Sequence, residues 1–227
     1  MSNNPGCGCS AAGAAPHRDV NDHGHGHSHP APGDPKPDTP PPVAAPQPAP
    51  VPGPVVGPPI VVFHYSVKFL CGRQEACPCG CTPVVPGIYA TEINIHNPND
   101  VAAGVVKLFI PLVLGGAVIG REPKAVGFKA VDAILLPPHS ATMDDCCRIS
   151  ELLLGAPAPA TASLCIGILH IVGFRELSVS AVYTVSNPES GSVDIDVNQI
   201  PAKLTRISTE AARNTEHLRP LFALQPG

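Results

Sequence analysis

The chain contains no tryptophan, and aromatic residues make up only 4% of its 227 positions. Charged residues are also scarce, 14% of the chain with a net charge of −4, and no basic run occurs anywhere. Binding to nucleic acid or to an anionic membrane surface needs clustered Lys and Arg, so neither partner is expected. Long hydrophobic runs are missing too, since no stretch approaches about 18 uninterrupted apolar residues. The most apolar segment, 105–119, is broken by Lys107, Pro111 and the pair Gly115-Gly116, and reads as a buried strand and a turn rather than a membrane span. The N-terminal MSNNPGCGCSAAGAA has neither the positive region nor the apolar core of a secretory signal, which makes the cytoplasm the default compartment. No G-x-S-x-G, phosphate loop or HExxH occurs, so the chain is read as a non-enzyme.

What the sequence does have is distributed unevenly. Just over half of the 30 prolines precede Ile60, in a region nearly free of aromatic side chains. Residues 1–59 therefore bury too little apolar surface to offset the entropy of ordering them, and are read as a disordered Cys/His-rich and Pro-rich tail and spacer. Within them 30–59 form a polyproline-type spacer that can hold the first 29 residues away from the core. Residues 60–201, roughly 140 in all, are enough for one core. Here β-branched residues recur with period two between turn-forming dipeptides, the pattern of short antiparallel strands. Strands are expected at Ile60–Leu70, Ile88–His96, Gly104–Leu114, Val126–Leu136, Leu164–Val172, Leu177–Val185 and Ser192–Ile200. Asn97-Pro98-Asn99-Asp100 and Asn187-Pro188-Glu189-Ser190-Gly191 supply two of the turns. One helix is expected over DDCCRISELLLG, capped by Asp144 or Thr142, with Ile149, Leu152 and Leu153 on one face and Gly155 closing it. Residues 202–227 read as a polar C-terminal tail with a short helix over Thr209–Leu218.

About seven short strands with polar turns and one inserted helix make the fold class all-β, a single antiparallel β-sandwich. The segment TEINIHNPNDVAAGVVKLFI resembles the strand, Asn-Pro turn, strand unit of bacterial immunoglobulin-like modules, which implies an immunoglobulin-like arrangement.

Nine cysteines and ten histidines are the residues that could carry chemistry. CGRQEACPCGC places Cys71, Cys77, Cys79 and Cys81 within one short segment, with Pro78 and Gly80 supplying turn geometry. Such thiolates suit zinc, copper(I) or an iron–sulfur cluster, and in an oxidising setting the same residues would form disulfides. Cys146 and Cys147 open the expected helix, where the dipole favours the thiolate while Asp144 and Asp145 oppose it. Loops at one end of a sandwich converge, so the two cysteine groups are expected to share a metal or a disulfide. His23, His25, His27 and His29 alternate with Gly and Ser, which lets several imidazoles reach one zinc, copper or nickel ion. Cys165 alternates with Ile166 and Ile168 and reads as a small buried hydrophobe. His64, His96, His139 and His170 are spread over separate elements and read as ordinary sandwich residues.

These features point to a non-enzymatic β-sandwich binding or assembly module, carrying metal- or disulfide-forming cysteine clusters on a His-rich tether, with a protein partner or a second copy as its target. A cytoplasmic metal-handling protein for zinc, copper or nickel is the alternative, its tail collecting the ion and its CPCGC loop holding it. The layout of Cys7 and Cys9 ahead of a sandwich is also similar to subunits of disulfide-stapled bacterial surface filaments, which implies a surface or spore setting.

Overall fold

The computed structural model describes residues 58–77, 82–159 and 162–224. Residues 1–57 of the expected tail and spacer, with His23, His25, His27 and His29, lie outside the described residues, as do Cys79 and Cys81.

Among the described residues ten strands pair antiparallel and build two facing layers, the all-β sandwich that the alternation implied. In the first layer β1 (Pro59–Gln74), β7 (Cys165–Gly173) and β3 (Ala103–Leu114) lie side by side. The short β4 (Ala117–Val118) and β5 (Ala130–Leu136) pair with opposite ends of β3, and β10 (Lys203–Ser208) pairs with the first half of β1. In the second layer β2 (Gly87–His96) pairs with β8 (Ser178–Ser186), and β8 with β9 (Val193–Ile200). β6 (Ala141–Asp145) closes the other side of β2.

β1 belongs to both layers. Its stretch Phe63–Cys71 pairs with β7, and Gly72–Gln74 then pairs with β2. The switch falls at Gly72, whose φ is +99° and where a Cβ would sit 2.6 Å from the Ala162 carbonyl oxygen, so only glycine fits the corner. Asn97, fully buried in the turn after β2, donates its side-chain amide to the carbonyls of Val101 (2.9 Å) and Pro137 (2.9 Å). It thereby fixes the passage from the second layer to β3 in the first.

The core lies between the layers. Tyr65, Val67 and Phe69 of β1, Thr91, Ile93 and Ile95 of β2, and Leu169 and Ile171 of β7 turn inward, as period-two alternation requires. α1 (Cys146–Leu154) buries Ile149 and Leu153 against the same core, with Leu152 partly buried beside them. Its cap differs from expectation. Asp145, not Asp144 or Thr142, accepts the Arg148 N–H at 2.8 Å, because Asp144 is engaged elsewhere. Gly155 closes the helix in the left-handed conformation, as read from the sequence.

The C-terminal segment has the helix expected after Thr209, and its described part is also built into the fold. β10 extends the first layer, and α2 (Thr209–Asn214) and α3 (Arg219–Ala223) follow it. Ala212, Leu218 and Leu221 pack on Val62, Val106, Leu108 and Val172, the outer face of the first layer. β3 is therefore buried on both faces.

Candidate functional site

The two cysteine groups meet through one pair. Cys71 near the end of β1 and Cys146 at the start of α1 form a disulfide with a Cα–Cα distance of 5.4 Å, within the usual range for such bonds. Of the two arrangements open to these residues, the structure has the disulfide. Cys71 and Cys146, expected as metal ligands, carry no thiolate in this state. Cys147, one residue on, is exposed, and Cys77 is half-buried beyond the end of β1. Among the described residues no three His, Cys, Asp or Glu side chains are grouped to hold a metal ion. Cys165 stands opposite Cys71 in the β1–β7 register but is not its partner. Burial pushes its thiol up to about 11, against a weaker pull from Lys129, so it stays protonated and unreactive, the buried small hydrophobe that was expected.

On the outer face of the first layer, His64 Nδ1 lies 3.2 Å from His170 Nε2, and Ser66 Oγ lies 3.2 Å from His170 Nδ1. Burial holds both imidazoles below the usual histidine range, reinforced for His64 by His217 and Lys203 and for His170 by His64 and His217. Uncharged rings at neutral pH can share a hydrogen bond, one donating and one accepting. His139 pairs with Asp100 at 2.9 Å on the surface.

The group that sequence reasoning missed lies in the core. Lys107 is 2% and Asp144 is 1% exposed. The Lys107 ammonium donates to Asp144 Oδ1 at 2.8 Å and Oδ2 at 3.1 Å, and sits 2.7 Å from Asp132 Oδ2. Arg148 of α1 reaches Asp132 Oδ2 at 3.4 Å and Glu151 at 2.9 Å. Each position follows from register. Lys107 shares the inner face of β3 with Val105 and Phe109 and stands opposite Asp132 of β5. Asp144 stands opposite Ile93 in the β6–β2 pair, so the ion cluster bridges the two layers.

The two carboxyls are driven apart. Burial pushes Asp144 above the usual carboxylate range, and the opposing pull of Lys107 does not restore it. Asp132 is also raised by burial, but hydrogen bonding and charge from Lys107, with Arg148, outweigh this and hold it below that range. No buried side-chain polar atom among the described residues lacks a hydrogen-bond partner, so the cluster is satisfied as well as buried. The sequence did carry a signal. Lys107 falls in phase with Val105 and Phe109, on the face that an alternating strand turns inward.

β9 breaks the pattern in the opposite sense. Val193, Ile195 and Val197 are 61%, 62% and 64% exposed. Across the β8–β9 register they stand beside Ser186, Thr184 and Val182, whereas Asp194 and Asp196 stand beside Val185 and Tyr183 on the face that turns toward the core. The acidic side chains line a pocket with Leu70, Tyr89, Tyr183 and Val185. β8 is the sole strand partner of β9 among the described residues, which leaves the outer edge of β9 open.

Comparison with protein families, with curated proteins and with solved structures finds no match to this chain. Among the described residues no helix is long and apolar enough to cross a membrane.

Proposed function

We propose that the folded unit is a non-enzymatic assembly module and that a second copy docks along β9. One observation carries the reading: an edge strand that turns three β-branched side chains to solvent. Edge strands offer a ready row of N–H and C=O groups to another strand, and folded proteins normally blunt them with charge, Pro or a covering element. In β9 the charges, Asp194 and Asp196, lie on the inner face and leave the outer apolar row uncovered. Strand addition joins backbone pairing to side-chain packing in such a setting. The Cys71–Cys146 disulfide supports an oxidising setting for the mature unit, the condition under which further cysteines could cross-link neighbouring copies.

Sedimentation velocity over a concentration series tests this. The expected result is a shift from monomer to a larger species as concentration rises, with Ile195→Lys monomeric throughout and unchanged in thermal midpoint. A wild-type chain that stays monomeric at every concentration, or an association that survives Ile195→Lys, overturns it.

A further inference from the structure

The buried ion cluster holds the complete set of groups for an amide cross-link. We propose that Lys107 and Asp144 condense to an intramolecular isopeptide bond between the two layers of the sandwich, with Asp132 carrying the proton.

The reasoning starts from what surrounds the amine. An ammonium group with 2% exposure sits against two carboxyls whose environments differ in sign. Pairs of titratable groups pushed apart in this way divide into an acid and a base. Asp144 is the acid. Burial favours its protonated form, and a protonated carboxyl is the electrophile that an amine can attack. Asp132 is the base, kept ionised by Lys107 and Arg148, which both approach its Oδ2.

The geometry fits the same assignment. The Lys107 nitrogen is nearly equidistant from the two Asp144 oxygens, at 2.8 Å and 3.1 Å, so it faces the carboxyl carbon and not one oxygen alone. Attack requires only that the carboxyl plane turn about χ2 so that the nitrogen meets the carbon from above, a soft rotation for a torsion of this type. Groups held at such distance in a fixed orientation reach effective molarities of about 10⁵–10⁸ M, which removes much of the entropic part of the barrier to amide formation. The surrounding apolar face of Val105 and Phe109 helps to keep water from reversing the step.

The balance is as follows. Within the ion pair the ammonium yields a proton to the Asp144 carboxylate, giving a neutral amine and a neutral acid. The amine lone pair forms the N–C bond to Asp144 Cγ. A proton leaving the nitrogen passes to Asp132, which delivers it to the departing Asp144 hydroxyl. The C–O bond breaks with its electron pair, one water leaves, and Asp132 returns to its carboxylate. No oxidant or reductant enters.

Mass spectrometry of the full chain, denatured and fully reduced, reads the outcome. The wild-type protein is expected to be one water lighter than its sequence, with the peptide containing Lys107 joined to the peptide containing Asp144 after proteolysis. Lys107→Arg and Asp132→Asn are both expected at full sequence mass, the second while keeping both reacting residues. A wild-type chain that remains at full mass with separate peptides after prolonged incubation at neutral pH overturns the proposal, whether or not the variants fold. A water loss located within one peptide, as an aspartyl succinimide, or a link from Lys107 to Asp132, does so equally. A cross-linked Asp132→Asn protein removes Asp132 from the proton path.

Discussion

Lys107 in β3 and Ile195 in β9 both stand on the wrong side of an alternating strand, and the protein treats the two violations differently. The polar side chain that faces in is surrounded by partners, with Asp132 and Asp144 within 3.1 Å and no polar atom left over. The apolar side chain that faces out has no cover from the described residues and belongs to a row of three. A buried charge without partners would unfold the domain, whereas an exposed isoleucine costs the folded monomer little. The inward violation is therefore fixed by stability, and the outward one is available for something outside the monomer. Departures from local pattern rules concentrate at such sites.

The sharpest way to break the contrast is at its buried end. Against the ion-paired chain at full mass, before any cross-link has formed, Lys107→Met leaves Asp144 in the core without its cation, and removal of one partner from a buried pair typically costs about 3–5 kcal/mol. Denaturant unfolding is expected to show a loss of that size. Lys107→Met combined with Asp144→Leu is expected to recover most of it, because an apolar pair of similar volume carries no desolvation penalty. If the single variant unfolds like wild type, the cluster is not sealed from water.

The disulfide adjoins this cluster, two residues from Asp144, and gives the next largest effect. Cys71→Ser and Cys146→Ser each open a bond that spans a sequence separation of 75 residues. Each is expected to lose about 2–4 kcal/mol in thermal or denaturant unfolding, and the double variant to lose no more than either single one. Additive losses would show that the two sulfurs act separately.

Much of this architecture could be read from residue order, and the exceptions have physical causes. Most of the expected strands appear because they bury a face in phase, as Ile93 and Ile95 do at 0% exposure, whereas β9 is exposed along nearly its whole length and is held by its pairing with β8. β6, β10 and the two-residue β4 were not foreseen. Ala141–Asp145 has no apolar alternation and is held by pairing with β2, while Lys203–Ser208 is a half-exposed edge strand held by pairing with β1. The two cysteine groups do meet, as expected, but not through converging loops: Cys71 lies in β1 and Cys146 opens α1, and the choice of Cys71 among its neighbours follows from the β1 corner, a tertiary feature. The inversion of β9 was invisible for a different reason. Period two specifies that Val193, Ile195 and Val197 share a face, and only the register with β8 decides which face.

Between the two extremes lies the half-buried pair on the outer face of the first layer. His64 and His170 are held below their ordinary values, chiefly by burial. A depressed histidine takes up protons more readily when unfolded, so stability is intact above the unfolded value of about 6.5 and is lost as pH falls through the folded one. Unfolding measured from about pH 7.5 to 5.5 is expected to show a falling midpoint in wild type and a shallower fall in His170→Gln. Equal slopes in the two proteins would mean that the pair is as well hydrated when folded as when unfolded.

The smallest expected effect is at the exposed end. Ile195→Thr keeps the β-branched shape that suits a strand and removes apolar surface from solvent, so the monomer's unfolding free energy is expected to stay within about 0.5 kcal/mol of wild type. That near-silence distinguishes the two violations. At the inner face of β3 a substitution is expected to be felt throughout the fold, whereas at the outer face of β9 the proposed docking predicts an effect only at concentrations where copies associate. Measured at concentrations low enough to keep the chain monomeric, a loss several times larger would mean that another part of the same chain covers Ile195. The docking site for a second copy would then already be occupied.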